Sequence, residues 1–470
     1  MSTMGDVATG AIANCGLPFY EPSTATALDR TPVKLLHPNI VITNTTLILL
    51  TARMTASMQQ YPLGVDVIDS VRWTQAPLRE FDEEHPNGTR EAWFMDPVLT
   101  ADMADEPYFA LQDMSQLVLQ DKNLNVRVLY DRGKGRAVGN KGCTRSREFA
   151  SVYDGKVVGL PVSAAIMLLY YRRDFFNAQN IPVPATWEEV VDIAERYNGT
   201  DLDGTGRGAW GFCMSRQPRC YNGYTFQTIQ VPFMQSEGTS QGFHFDPETK
   251  ESLVNSTGTR RAAELYRRLS RYTAPTEPVA CLPVSLAFVW GNCLMAVGTT
   301  LHFKYATFNN SLNNMTRVRG KTGITILPGS FEVMNRTTGQ MVRCTPETCP
   351  HGKWHTLQNG TKAWVNAAPY AGRGAFTYAL NRHREPHLQY MAYRLCARRV
   401  YADAMWPSVL SATAETTPVR TEMVDPANVG RYTAAGYDRE DTLLFMKAVS
   451  ETMEHQNIAL NLRIFGALEY

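Results

Sequence analysis

Tyr153-Asp-Gly-Lys-Val-Val-Gly-Leu-Pro-Val-Ser-Ala-Ala-Ile-Met-Leu-Leu-Tyr-Tyr-Arg-Arg-Asp-Phe-Phe176 is the stretch whose reading decides the fold. Asp154-Gly155 supplies the positive φ that a tight turn needs. Val157 to Leu160 reads as a short buried strand stopped by Pro161, and Ile166 to Tyr171 as a second strand, apolar on both faces and therefore central in its sheet. Val162 to Ala165, small and uncharged, suits a backbone crossover between them. Past Asp174, Pro182 and Pro184 enforce an extended linker. Thr186 is then an N-cap whose capping box is completed by Glu189. Trp187, Val190, Val191, Ala194 and Tyr197 fall on one apolar face of the helix that follows.

This order resembles the bacterial extracellular solute-binding proteins of the maltose-binding class. The matching residues are Tyr153-Asp-Gly-Lys156 with Pro161, Tyr171 with Arg173-Asp-Phe-Phe176, and Pro184 through Glu189. Further matches are Ala287-Phe-Val-Trp-Gly-Asn-Cys-Leu-Met-Ala-Val297, Gly323-Ile-Thr-Ile-Leu-Pro-Gly329 and Asn366-Ala-Ala-Pro-Tyr370, so the register runs from Ala92 to Val400. The segment Arg463-Ile-Phe-Gly-Ala-Leu-Glu-Tyr470 and the Leu-Pro-Gly-Ser and Cys-Pro elements are also similar to binding-protein-like ectodomains of green-algal receptor nucleotide cyclases. The resemblance implies a periplasmic-binding-protein-like α/β fold, two lobes joined by two or three crossovers with a ligand cleft between. Residues 1–35, rich in Thr, Ala and Pro, read as a loosely held N-terminal segment; the resemblance implies 36–163 plus 327–405 as the first lobe and 164–326 plus 406–470 as the second, crossing at Val162–Ala165 and Ile324–Leu327. The implied function is extracellular binding of a small polar solute, a sugar or oligosaccharide, by lobe closure. The solute would serve an ABC-type permease for uptake or an attached receptor domain for sensing.

Size and charge agree with that class. The 470 residues allow two cores, and a net charge of +1 gives no footprint for nucleic acid or an anionic membrane. The longest apolar run, Thr46 to Ala52, is too short to span a bilayer. Met1 to Gly10 has neither the basic nor the apolar region of a secretory leader. Compartment is argued from elsewhere. Sequons at Asn44, Asn87, Asn198, Asn255, Asn309, Asn314, Asn335 and Asn359 exceed chance and point to a secreted glycoprotein. Among nine cysteines, Cys344–Cys349 and Cys213–Cys220 read as short disulfide loops around Pro-containing turns and Cys281–Cys293 as a third bridge, the alternative being buried thiols. Cys15, Cys143 and Cys396 leave the count odd.

Asn39–Thr43, Val65–Val71 and Ala92–Asp96 read as early strands, with helices over Thr46–Gln60 and Leu111–Gln120. The Arg-rich helix Thr259–Tyr272 packs Leu265, Tyr266 and Leu269 inward. By position in the resembling family, ligand contacts are expected at Trp93, Asp96, Trp210, Tyr221, Tyr224, Trp290, Phe303 and Tyr370, as flat faces for sugar C–H surfaces and partners for hydroxyls. Two positions depart from the sugar-binding pattern: Ala165 stands where some members carry an acid, and Leu301-His302-Phe303 where they carry a tryptophan. A pocketless interaction module on the same fold is therefore the alternative function.

Other chemistries find little support. Asp131–Gly142 is Gly-rich and basic but lacks the Gly-Lys-Ser/Thr of a phosphate loop. Asp201, Asp203 and Gly206 start like a calcium loop, but Phe212 replaces the bidentate acid, which favours a structural turn. The pairs His383/His387 and His351/His355 have zinc-helix spacing without the general-base glutamate, and Pro386 splits the first. With no nucleophile elbow either, neither an enzyme nor a cofactor is expected.

Overall fold

The computed structural model describes residues 33–39, 63–69, 76–124 and 151–454, except 82–85, 97–98, 215, 217–221, 238–240, 247–248, 250, 276–282, 309–315, 358–359, 368–374, 413 and 415. The expected helix at 46–60, the basic loop at 131–142, the N-terminal segment before Val33 and the 463–470 segment lie outside the described residues. So do Cys15, Cys143, Cys220, Cys281, Tyr221, Tyr370 and the sequons at Asn44, Asn309, Asn314 and Asn359.

The chain divides into two compact units, one drawn from 1–164 and 375–420, the other from 165–374 and 421–470. Nine strands build their main sheets: β1 (Val33–Asn39), β2 (Leu63–Asp69), β3 (Ala92–Met95), β4 (Leu160–Ala164), β5 (Met167–Arg172), β6 (Trp210–Cys213), β7 (Cys293–Thr299), β8 (Thr322–Thr325) and β9 (Ala375–Leu380). Five helices matter below: α1 (Trp187–Tyr197), α2 (Asn222–Met234), α3 (Thr257–Leu269), α4 (Pro386–Val400) and α5 (Arg439–Glu454).

The first unit's sheet has the order β2-β1-β3-β9-β4. β1 pairs in parallel with β2 and β3, while β9 is antiparallel to β3 and β4. Pro161 does not stop a strand, as its missing N–H suggested; it lies inside β4. That strand is at the sheet edge, and Pro161 sits where the register shifts between Phe376 and Thr377, the place a sheet tolerates proline. α4 buries Leu388, Ala392, Cys396 and Val400, one stripe at helical spacing. Trp93 and Met95 on β3 pack in the core with Phe81, Leu99 and Met103.

The second unit's sheet has the order β8-β5-β7-β6, so β5 is internal, as its two apolar faces require. Thr186 Oγ1 accepts from Glu189 N and the Glu189 carboxylate accepts from Thr186 N, closing the expected capping box at the start of α1. Trp187 is fully buried and its Nε1 donates to Thr228 O at 2.9 Å, tying α1 to α2. Two glycines allow close approach. A Cβ on Gly211 would lie 2.1 Å from Ala194 O, so α1 sits directly on β6; one on Gly323 would meet the ring of its cross-strand partner Tyr171 at 2.1 Å. α3 begins at Thr257, and Ser270–Tyr272 continues it as a 3₁₀ turn.

Several expectations change. Residues 327–374 belong to the second unit and the chain returns to the first only at Ala375, whereas the sequence placed that return near Ile324–Leu327. The reason is that β8 stays paired with β5, and Gly329 then bonds to α1's entry through Trp187 N→Gly329 O and Gly329 N→Ala185 O. Cys213 is bonded not to Cys220 but to Cys293, which was expected to pair with Cys281. The two cysteines lie on the neighbouring strands β6 and β7, with their Cα atoms 6.0 Å apart. The first strand lies at 33–39 rather than 39–43, and the helix of Leu111–Gln120 is confined to Ser115–Gln120.

Cys344–Cys349 is bonded as expected and lies under Val333 and Trp364, between the hairpins Glu332–Met334/Met341–Arg343 and Lys353–Thr356/Lys362–Val365. Among the described residues Cys396 is the free cysteine; burial pushes its thiol up to about 12. Of the described sequons, Asn87, Asn198 and Asn255 are exposed and Asn335 is half-buried.

Two predictions follow from this packing. Peptide mapping without reduction is expected to recover Cys213 linked to Cys293 and Cys344 linked to Cys349; a Cys213–Cys220 peptide overturns the assignment. Burial pushes the Glu188 carboxyl, at the first turn of α1, up to about 7, with Arg261 opposing and Glu332 and Asp192 reinforcing. Its folded pKa lies above the unfolded value of 4.5, so its contribution is fully present below that value and is lost as pH rises through about 7. Glu188→Gln is expected to match the parent in acid and exceed its urea midpoint above neutrality.

Candidate functional site

In open α/β sheets ligands gather at the carboxyl ends of the parallel strands. In the first unit β3 and β4 run in the same direction, each antiparallel to β9, so the carboxyl ends of both meet the amino end of β9 at one sheet edge. Asp96 directly follows β3 there and is 1% exposed. Ser163 and Ala164 close β4: Ser163 Oγ lies 3.2 Å from Thr417 Oγ1 and accepts from Thr417 N, while Thr417 Oγ1 donates to Ala164 O. Thr377, fully buried, and the half-buried rings of Phe94 and Phe376, 5.4 Å apart, belong to the same three strands. The edge therefore combines a carboxylate, hydroxyls and flat apolar rings, the groups a polyhydroxylated solute needs.

In the second unit β6, β7 and β8 share one direction, with β5 opposed. Their carboxyl ends, at Cys213, Thr299 and Thr325, share an edge with the amino end of β5. Thr300 N donates to Ile166 O at 2.9 Å there, and Tyr170 Oη donates to Thr299 O at 2.8 Å. Thr299 and Thr300 are both buried. The helix Leu301–Thr307 starts at this edge.

The expected ligand contacts fall in three groups. Trp93, Tyr224 and Phe303 are core. Trp93 is fully buried with its Nε1 donating to Glu80 Oε2 at 2.9 Å. Burial acts to raise the Glu80 pKa, but the bonds from Trp93 and Arg90 outweigh it and hold the carboxyl below its ordinary value. Tyr224 is 2% exposed within the main cluster of its unit, and Phe303 stacks on Phe445 at 3.9 Å and on Tyr437 at 5.1 Å. Trp210 and Trp290 stand at the amino ends of β6 and β7, the sheet edge away from the carboxyl ends. Among the described candidates, Asp96 alone is at a carboxyl-end edge. Ser163, Thr299, Thr300 and Thr377 also stand at these edges without having been singled out from the sequence; the available signal is a small hydroxyl residue closing or interrupting an apolar strand.

The acidic turn is held by hydrogen bonds of its own. Asp201 Oδ1 accepts from the backbone N–H groups of Asp203 and Thr205, and Oδ2 from that of Gly206 at 2.6 Å; these bonds, Gly206 foremost, hold its pKa low. Asp203 accepts from Arg172 Nη2 at 2.7 Å and from Lys321 Nζ at 3.3 Å. Both carboxylates are thus engaged where a calcium loop would turn them on an ion. His383 precedes α4 and its ring lies 2.9 Å from Tyr108 O, so it does not share a helix face with His387. Among the described residues no group of three His, Cys, Asp or Glu side chains is placed to hold a metal ion.

Comparison with known proteins agrees with this architecture. No family model matches the chain. Curated binding proteins of Brucella abortus and Brucella suis are 27% identical over 120 residues; the match spans about a quarter of their length, 26%, and 25% of this chain. Solved structures align over nearly the whole chain. A ribitol-bound ABC transporter solute-binding protein of Agrobacterium radiobacter superposes with a TM-score of 0.59 at 17% identity, covering 91% of this chain and 87% of that one. The maltose-bound MalE3 of T. maritima gives 0.59 at 14%, covering 93% and 91%. A Listeria monocytogenes ABC substrate-binding protein with cycloalternan gives 0.58 at 12%, covering 94% and 91%. The fold is that of the solute-binding proteins, two α/β units with exchanged chain segments. Among the described residues no helix is long and apolar enough to cross a membrane.

Because Arg172 is the buried partner of the acidic turn, Arg172→Met is expected to lower the denaturation midpoint, Asp203 then keeping the bond from Lys321 alone of these two. Calcium at millimolar excess is expected to leave the parent's melting temperature unchanged; a calcium-dependent rise overturns the structural reading of Asp201 and Asp203.

Proposed function

We propose that this chain binds a small uncharged polyhydroxylated solute, a polyol or an oligosaccharide, without chemically altering it. One observation carries the reading. The fold matches, over nearly its full length, proteins solved with ribitol, maltose and cycloalternan, and the edge that such folds use for ligands holds Asp96, Ser163, Thr377, Phe94 and Phe376 here. Asp96 is assigned as acceptor for two solute hydroxyls and the phenylalanine rings as the surface for its C–H face. The two disulfides and the exposed sequons support an extracellular or cell-surface location. The partner proposed there is a membrane permease or a receptor domain of the kind found in algal cyclases.

Calorimetry against polyols, monosaccharides and oligosaccharides is expected to find a saturable ligand for the parent protein. Asp96→Asn is expected to weaken it by about tenfold, the cost of a lost charge-assisted hydrogen bond, and Trp210→Ala to leave it unchanged. If no compound binds, or if Trp210→Ala does the damage and Asp96→Asn none, the assignment is overturned. The closure expected from the resemblance is read in the same samples as a fall in radius of gyration by small-angle scattering. Glycosidase treatment of protein from a secretory host is expected to release glycan from Asn87, Asn198 and Asn255.

A further inference from the structure

The hairpin Lys353–Thr356/Lys362–Val365 of the second unit has one face packed inward and one left to solvent. Pairing sets Trp354 opposite Trp364 and Thr356 opposite Lys362. Side chains alternate along a strand, so these four share a face and Lys353, His355, Ala363 and Val365 take the other. On the inward face Ala363 and Val365 are buried and His355 Nε2 lies 3.6 Å from Glu189 Oε2 of α1. On the outward face Thr356 and Lys362 are exposed and Trp354 is 63% exposed.

The exposed indole is firmly mounted. Trp354 meets Trp364 edge-to-face at 5.4 Å and 82°. Trp364 is clamped in turn: its Nε1 donates to Cys349 O at 2.8 Å, and a Cβ on Gly352 would lie 2.2 Å from that nitrogen, so backbone runs directly against the ring. Trp364 also packs on the bonded pair Cys344–Cys349 and on Val333. At the hairpin's base Ser330 and Asn366 exchange two backbone bonds. With its neighbour perpendicular and most of its surface free, the Trp354 indole keeps a face open to solvent. An aromatic held in this way loses little conformational freedom when something covers it.

The charge on this face has one sign. No Asp or Glu occurs between Glu347 and Glu385, so the hairpin's own charges, Lys353 and Lys362, are both positive. Lys362 forms no ion pair among the described residues. It is the diagonal neighbour of Trp354, about 7–8 Å away between backbones and within reach of a long side chain. Glu189 meets the hairpin on the opposite face, at His355.

We propose that this face binds an acidic polysaccharide. One pyranose ring lies with its C–H surface on the Trp354 indole, a carboxylate or sulfate of the chain reaches the Lys362 ammonium, and the Thr356 hydroxyl bonds a sugar hydroxyl. The inference concerns a charged polymer, uses none of the strand-end residues described above and does not rest on the solute reading. The flatness and the charge select this occupant. A cation, which an indole face otherwise attracts, is repelled by Lys362. A protein partner anchors its strongest contacts in desolvated pockets, whereas this is an open sheet face. An anionic membrane calls for a cluster of four to eight basic residues, and the face offers a single ammonium.

The probe is polygalacturonate on beads, with two comparators. Its methyl ester keeps the rings and loses the charge, while polyglutamate keeps carboxylates and has no sugar ring. Depletion of the full chain, freed of glycan by glycosidase, is measured at about 0.15 M salt so that distant charges are screened. Polygalacturonate is expected to bind, its methyl ester about fivefold more weakly and polyglutamate about tenfold more weakly. Trp354→Ala is expected to cost about tenfold and Lys362→Ala about fivefold, at an unchanged melting temperature. Lys353→Ala removes the same charge from the other face and is expected to leave binding unchanged. The proposal is overturned if polygalacturonate does not bind, if either comparator binds as well, if Trp354→Ala keeps the parent's affinity, or if Lys353→Ala costs as much as Lys362→Ala. Affinity for any polyol or sugar found by calorimetry is expected to survive Trp354→Ala, so failure here and failure of the solute reading remain separate results.

Discussion

The second unit is organised around the buried guanidinium of Arg172. Fully buried at the end of the internal strand β5, it grips Asp174 with two bonds, from Nε at 2.9 Å and Nη2 at 2.6 Å, and Asp203 with a third at 2.7 Å. One side chain fixes the strand end, the helix that follows it at once from Arg173, and the turn Asp201–Gly206, which lies 31 residues further on at Asp203. A planar, always-charged fork suits this task in a way a lysine would not. Desolvating such a cluster is expensive, so its value lies in geometry more than in net stability. Next to it, Arg173 Nη2 donates to Asp441 Oδ1 at 2.8 Å and Asp441 accepts from Gly320 N, so the same strand end also seats α5.

Local rules made much of this legible. The capping box at Thr186 and Glu189 needs only four residues in order. The internal position of β5 follows from an unbroken apolar run. The turn at Asp154-Gly155 has positive φ at both residues, as the pair predicts. Such features are decided by neighbours in the chain, and the resemblance through Tyr153–Glu189 is built from them.

What failed depended on partners distant in sequence. Cys213 and Cys220 are close along the chain, yet the partner of Cys213 lies 80 residues away on the neighbouring strand. The aromatic candidates show the same limit. Trp93, Tyr224 and Phe303 suit a sugar face or a core equally well by composition, and only packing against Phe81 or Phe445 separates the two uses. The place of Asp96 at a strand's carboxyl end is visible in sequence. Thr299 and Thr377 were not, since a lone hydroxyl beside apolar residues carries no distinctive pattern. The return at Ala375 was misplaced because Pro328 suggested a strand exit without revealing that Gly329 would pair with Ala185 and Trp187.

The bond between Cys213 and Cys293 has a consequence for how the molecule comes apart. The loop it closes contains α2 and α3 whole. A protease that nicks the backbone once anywhere inside this loop produces no free piece, because the two fragments stay joined through the disulfide. The cut shows on a denaturing gel only after a thiol is added. Backbone continuity and molecular integrity are thereby uncoupled across this part of the chain, and a nicked molecule can unfold and re-form without its halves diffusing apart.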